Sequence, residues 1–214
     1  MDEDKPYTAS WVPKTKVGEL VRSGAIKSIE EIFANGKTIK EVEIVDTLLP
    51  NLEDKVLEII SVQRMTKNNR KQKFRVTVAV GDRSGHMGVG VGKDVEVKPA
   101  IEAAIRDAKR RVITVKLGCG SWECSCGTPH TLPLRERAKF GSSEIILKPA
   151  PRGVGIVAAD TASHVLELAG VKDVWTFSRG RTRDVYNTAL ATYTALKKVS
   201  EMKNSEALKA LVSQ

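Results

Sequence analysis

Phe74-Arg-Val-Thr-Val-Ala-Val-Gly-Asp-Arg-Ser-Gly-His-Met-Gly-Val-Gly-Val-Gly-Lys93 reads as two strands joined by a turn. Phe74, Val76, Val78 and Val80 share one face of the first strand, while Lys73, Arg75 and Thr77 share the other. Gly81 to Gly85 is turn material. In the second strand Gly88, Gly90 and Gly92 alternate with Met87, Val89 and Val91. Glycine at every second position strips one strand face of side chains and lets a backbone or a helix approach closely. A helix follows. Pro99 suits its first turn, and Ala100, Ile101, Ala104, Ile105, Ala108 and Val112 form its apolar stripe.

The segment just before this hairpin is strongly basic. Gln63 to Lys73 holds Arg64, Lys67, Arg70, Lys71 and Lys73 beside Asn68 and Asn69, and Arg75 follows. Arg and Lys neutralise phosphates, while Asn, Gln and Thr hydrogen-bond phosphate oxygens and sugar hydroxyls. A second cluster, Arg106, Lys109, Arg110 and Arg111, gathers at the C-terminal half of the helix, where cations also suit the helix dipole. Its alternative reading is an ordinary solvated face. The chain carries a net charge of +9, with a sequence pI near 9.5. That charge is concentrated: residues 61–140 hold 17 basic and 7 acidic side chains, whereas residues 1–60 hold 8 and 12. A polyanionic partner fits this asymmetry.

Outward from the hairpin, residues 1–55 read as an N-terminal extension with short helices. Pro6 and Pro13 break its start, Val17 to Gly24 is a helical turn, and Ser28 caps a helix ended by Asn35-Gly36. Beyond the connector, Ser143 to Lys148 is a strand and Pro149 to Gly155 a stiff turn, followed by a strand from Ile156 to Ala159. Asp160 caps a helix through Leu168, Val171 to Phe177 is a strand, Ser178 to Arg183 a basic loop, and Asp184 caps a helix through Val199. The polar tail after Ser200 reads as either a short helix or a disordered end. The acidic start, Met1-Asp-Glu-Asp-Lys5, argues against a signal peptide, and no apolar run approaches a membrane span.

Several chemistries fail on spacing. A phosphate-binding loop needs glycine five residues before Gly92-Lys93, where Met87 stands, and Ser or Thr after the lysine, where Asp94 stands. Paired acids for hydrolysis are not evident. The cluster Cys119, Cys124, Cys126 and His130 is sharper, with the pattern C-x4-C-x-C-x3-H. Two readings stand: one structural zinc held by all four, or reduced thiols on a hairpin with His130 elsewhere. A catalytic cysteine would also need a base and an orienting group; His130 could serve as the base, but Glu123 is the only nearby carboxylate besides Glu136, which argues against that role.

The hairpin Phe74–Lys93 closely resembles the signature of the universal small-subunit ribosomal protein family numbered five in bacteria and two in eukaryotes. Pro149-Ala-Pro-Arg-Gly-Val-Gly-Ile-Val157, Leu168-Ala-Gly-Val-Lys-Asp-Val174 and Arg179-Gly-Arg-Thr182 resemble its later motifs, in order, so the likeness covers roughly residues 55–200. Gly118-Cys-Gly-Ser-Trp-Glu-Cys124 and Trp11-Val-Pro-Lys-Thr-Lys16 are similar to the archaeal branch.

The resemblance implies an α+β fold of two small α/β domains, the first similar to a double-stranded-RNA-binding fold, plus a helical N-terminal extension. The expected divisions are 1–55, an RNA-binding domain at 56–120, a connector at 121–140, a C-terminal domain at 141–200 and a tail at 201–214. It implies a cytoplasmic, ribosome-bound structural protein with no enzymatic activity and a helix over Val97–Val115. The implied partners are small-subunit rRNA near the decoding region, mRNA where it enters its channel, and the ribosomal neighbours numbered four and eight. The loop Met65–Lys73 and the turn Asp82–Met87 become rRNA-contacting tips. The expected RNA contacts are then Arg64, Lys67, Asn69, Arg70, Lys71, Lys73, Arg75, Arg83, His86, Lys93, Arg106, Lys109 and Arg110. A free regulator that binds duplex RNA and a zinc-dependent RNA enzyme are the competing readings.

Overall fold

The computed structural model describes residues 11–124 and 126–201. The readings of Pro6 and of the polar tail lie outside the described residues. Three short helices come first: α1 (Lys16–Arg22), α2 (Ile29–Ala34) and α3 (Val42–Leu48). The Thr15 side chain accepts from the Gly18 amide at the start of α1, and Gly24 and Gly36 take the positive φ that ends α1 and α2. Ser28 stands at the N-cap of α2 but makes no side-chain cap bond; the Glu31 carboxylate accepts from the Lys27 amide instead. Ile26, Ile29, Ile32, Ile39, Ile44 and Val45 form a small core of their own, joined by Val112.

An antiparallel sheet follows, ordered β1 (Glu53–Met65), β2 (Arg70–Gly81), β3 (His86–Asp94) and β4 (Ile113–Thr114). Helix α4 (Val97–Arg110) lies across one face. The register places Val76, Val78 and Val80 directly opposite Gly92, Gly90 and Gly88. Opposed residues share a face, so valines and glycines together face α4, where Ala100, Ala104 and Ala108 are fully buried. A Cβ on Gly88, Gly90 or Gly92 would come within 2.2–2.3 Å of α4 backbone atoms. The helix therefore sits on bare backbone, as the glycine alternation requires. It ends at Arg110 rather than continuing to Val115, because Ile113–Thr114 leaves to pair with His86–Met87.

The second sheet runs β5 (Glu136–Phe140), β6 (Ser143–Pro149), β8 (Val174–Gly180), β7 (Ile156–Val157), with β7 parallel to β8. Helices α5 (Asp160–Leu168) and α6 (Val185–Glu201) complete the described chain. Ala159, not Asp160, is the N-cap of α5. Strand β8 starts three residues later than the sequence suggests and extends to Gly180, so Ser178 and Arg179 are paired with β6 rather than looped. The largest core runs between the sheets. It joins Ala79, Met87 and Val89 of the first to Ile145, Leu147, Val174, Leu166 and Leu196 of the second half. Thr77 and Ala79, on the face of β2 away from α4, are consequently buried too. No described helix is long and apolar enough to cross a membrane.

Candidate nucleic-acid interface and metal centre

The basic segment is not a loop from Met65 to Lys73. β1 and β2 stay paired out to Met65 and Arg70, leaving only Thr66–Asn69 unpaired at the tip. That turn is internally bonded. The Thr66 amide donates to the Asn69 carbonyl at 2.8 Å, the Asn69 amide donates to Thr66 Oγ1 at 3.2 Å, and Asn69 Oδ1 accepts from the Arg70 amide at 2.7 Å. Arg64, Lys67, Arg70, Lys71 and Lys73 are exposed, and among the described residues none of them forms an ion pair. A two-stranded arm thus carries five exposed cations with no carboxylate partner among the described residues.

The other expected contacts divide. Lys93, Arg106 and Arg110 face solvent; Arg106 Nε donates to the Glu102 carbonyl at 3.3 Å, and its guanidinium makes a loose 4.0 Å contact with the Glu102 carboxylate. Arg75 turns inward, its guanidinium 5.4 Å from the centre of the Tyr186 ring. Burial raises the Glu58 carboxyl above its ordinary value, Arg75 opposing and Asp184 reinforcing the shift. Arg83 reaches Glu53 at 2.9 Å and Glu167 at 3.5 Å. His86 Nδ1 lies 2.7 Å from Asp82 Oδ2, while Asp82 Oδ1 accepts from the Ser84 and His86 amides at 2.8 and 3.0 Å. Burial alone would raise the Asp82 carboxyl, but these bonds from His86 and Ser84 outweigh it and hold the group below its ordinary value. Lys109 is hydrogen-bonded to Asp46 of α3. Gly92 lies under Ala100 and Gly88 under Ala108, so α4 runs away from the Thr66–Asn69 tip and carries Arg110 to the opposite end of the sheet, with Arg106 about one turn nearer. The cations form two separate groups.

The cysteine cluster closes on itself. Potential ligand atoms of Cys119, Cys124, Cys126 and His130 all lie within 4.8 Å of one another. Cys119 and Cys126 sulfurs are 3.6 Å apart, and Cys124 Sγ is 3.7 Å from His130 Nε2. Two Zn–S bonds of about 2.3 Å at a tetrahedral angle put sulfurs about 3.8 Å apart, close to the Cys119–Cys126 separation, so the set could close around one metal ion. His130 therefore belongs to the cluster rather than lying elsewhere. Burial, reinforced by bonding to Cys126 and Cys124, pushes the Cys119 thiol up to about 11. Bonding to Thr128 brings the Cys126 thiol down to about 6.

Behind His130 stands Asp173, which the sequence did not single out. Its Oδ2 is 2.8 Å from His130 Nδ1 and its Oδ1 accepts from the Gly153 and Gly155 amides at 3.0 and 2.8 Å. Asp173 is buried. Burial raises its carboxyl, yet the bonds from Gly155, His130 and Gly153 hold it below its ordinary value. A carboxylate behind a ligating imidazole is the usual outer partner of a metal-bound histidine. The pairing spans 43 residues, so no local pattern announces it.

Residues 52–116 match the family model described as ribosomal protein S5, N-terminal domain, and residues 138–209 the one described as ribosomal protein S5, C-terminal domain. Small ribosomal subunit protein uS5 of Methanocaldococcus jannaschii is 54% identical over 196 residues, covering 92% of this chain and 90% of that protein. The protein of the same name from Aeropyrum pernix is 53% identical over 188 residues, covering 88% and 86%. That of Halobacterium salinarum is 50% identical over 195 residues, covering 91% and 92%.

Proposed function

The chain belongs to the ribosomal protein S5 family, a family of structural, non-enzymatic proteins of the small ribosomal subunit, and we propose that it grips rRNA chiefly with the tip of the β1–β2 arm. The observation that carries this reading is the set of five exposed cations, without ion pairs among the described residues, at the end of a paired, internally bonded hairpin. Each such cation displaces counterions from the phosphate backbone, and a rigid arm lets the contacts form with little loss of conformational freedom. The packing of α4 on one face of the four-stranded antiparallel sheet supports a likeness to double-stranded-RNA-binding folds, which read duplexes by shape. We take residues 56–120 as this RNA-binding domain and 141–200 as a C-terminal α/β domain behind it. The family resemblance extends the reading to rRNA near the decoding region, mRNA where it enters, the neighbours numbered four and eight, and support of translational accuracy.

The test is the salt dependence of binding of the full chain to small-subunit rRNA. Replacing Lys67, Arg70 and Lys71 together by Ala should lower the slope of log K against log salt by about 2–3, at about 0.7–0.9 per contact. An unchanged slope would remove the arm from the interface. Retention on small subunits through a high-salt wash separates this role from that of a free regulator.

A second reading concerns the metal centre: Cys119, Cys124, Cys126 and His130 hold one structural zinc that orders the connector between the sheets. Four donor atoms within 4.8 Å of one another, backed by Asp173, support it. One zinc per purified chain, with thiols reactive only after chelation, is the expected result. Freely reactive thiols and no zinc would sink it.

A further inference from the structure

Resting on the zinc reading above, we propose that Asp173 is a positioning residue through which the metal centre sets the shape of the exposed turn Arg152–Gly155. The carboxylate divides its two oxygens between two tasks. One faces the His130 imidazole, and the other takes both glycine amides of the turn. Those glycines hold φ values of +93° and +75°. Such backbone is freely reached by glycine and just as freely left, and the two amide bonds to Asp173 act with the Val154 amide to Pro151 carbonyl bond and the Val174 amide to Gly155 carbonyl bond to select one conformation from many. A Cβ on either glycine would meet nothing within 4 Å, so packing does not enforce the shape.

The imidazole end is equally specific. A metal on Nε2 leaves Nδ1 as the nitrogen that carries the proton, and the Nδ1–H then donates to Asp173 Oδ2 in a fixed ring plane. The His130 carbonyl accepts from the Lys172 and Asp173 amides at 2.9 and 3.1 Å, so the same residue is tied to the approach of β8 by its backbone as well. Remove the metal and, among the described residues, the ring keeps on its Nε2 side the 3.7 Å contact with Cys124. Loss of the metal's restraint passes directly to Asp173, and from it to Gly153 and Gly155. The turn presents Arg152 and Val154 to solvent. It is therefore a surface element whose order depends on a metal it does not touch.

The test follows amide exchange of the isotopically labelled full chain, with zinc and after chelation, alongside zinc affinity of Asp173→Asn. An asparagine keeps the shape of the side chain but can offer an oxygen to the imidazole or to the glycine amides, not to both. The expected result is exchange of Gly153 and Gly155 at least about 10-fold faster after chelation while the α6 amides hold, with zinc affinity in D173N about 10–100-fold weaker. Three outcomes would overturn the proposal while leaving the zinc reading intact. These are unchanged Gly153 and Gly155 exchange, equal loosening of α6, or undiminished affinity in D173N. Absence of zinc from the wild-type chain would remove both together. The chelation arm uses no variant, so a folding defect in D173N does not shelter the idea.

Discussion

Gly90 and Ala108 meet backbone to backbone: a Cβ on Gly90 would lie 2.2 Å from the Ala108 amide nitrogen. Neither partner can move without lifting α4 off the sheet. Gly90→Ala should destabilise the chain by about 3 kcal/mol, the upper end of ordinary overpacking. Gly118→Ala is the control, since its Cβ would make an ordinary 3.4 Å contact with Pro133. It should cost less than about 1 kcal/mol. Urea denaturation of the two variants reads the difference.

The join between the sheets depends on a similar contact. Gly170 holds φ +82°, and a Cβ there would lie 2.3 Å from the Arg83 carbonyl oxygen, while the Arg83 amide donates to the Leu168 carbonyl. Gly170→Ala should lower Tm sharply, through both the positive φ and the clash. Arg83→Ala should change it little, because its ion pairs are about half exposed and such pairs contribute roughly 0–1 kcal/mol. A larger loss from Arg83 than from Gly170 would contradict this ranking.

Acid stability should depend on Asp82. Its carboxyl is held below the ordinary 3.8 by His86 and Ser84, so the folded state favours the ionised form. That contribution is full above the unfolded value and is lost as pH falls through the lower, folded one. Asp82→Asn should be less stable than wild type at pH 7, and the gap should narrow below about pH 4. A gap that stays constant from pH 7 to pH 3 would show that the carboxylate charge is irrelevant there.

Lys109 was expected among the RNA contacts, yet its ammonium is hydrogen-bonded to Asp46, with both side chains largely covered. Lys109→Ala should loosen the packing of α3 on α4, at a cost of about 1–2 kcal/mol for a lost charge-assisted bond. Its rRNA-binding salt slope should stay close to wild type. A drop in slope near 0.9 with no stability change would return Lys109 to the interface.

The hairpin from Phe74 to Lys93 and the helix after it were legible because two periodicities coincide there, valines and glycines on alternate positions of facing strands. β1 was hidden. Its register shifts between Val56 and Glu58, so the apolar positions Val56, Ile59, Ile60 and Val62 never settle into one alternation. The basic segment accordingly read as a loop when half of it is strand. Val171 to Asp173 looked like strand by composition, but Gly170 turns the chain and Asp173 is drawn to His130 instead. At the site, the four metal-ligating types lie close enough in sequence to be seen, whereas Asp173 does not. The inward turn of Arg75 onto Tyr186 depends on α6 arriving across the first sheet, which no local pattern states.

Strand β2 is buried on both sides, with Val76, Val78 and Val80 under α4 and Thr77 and Ala79 against the second half. Such a strand proofreads its own alignment. A slip of one residue would drive Arg75 toward the alanine surface of the helix and put valines where Thr77 and Ala79 fit. A misaligned hairpin would be penalised by both layers at once, so the arm emerges with one length and one twist. Its cationic tip is thereby delivered at a fixed reach from the body of the protein.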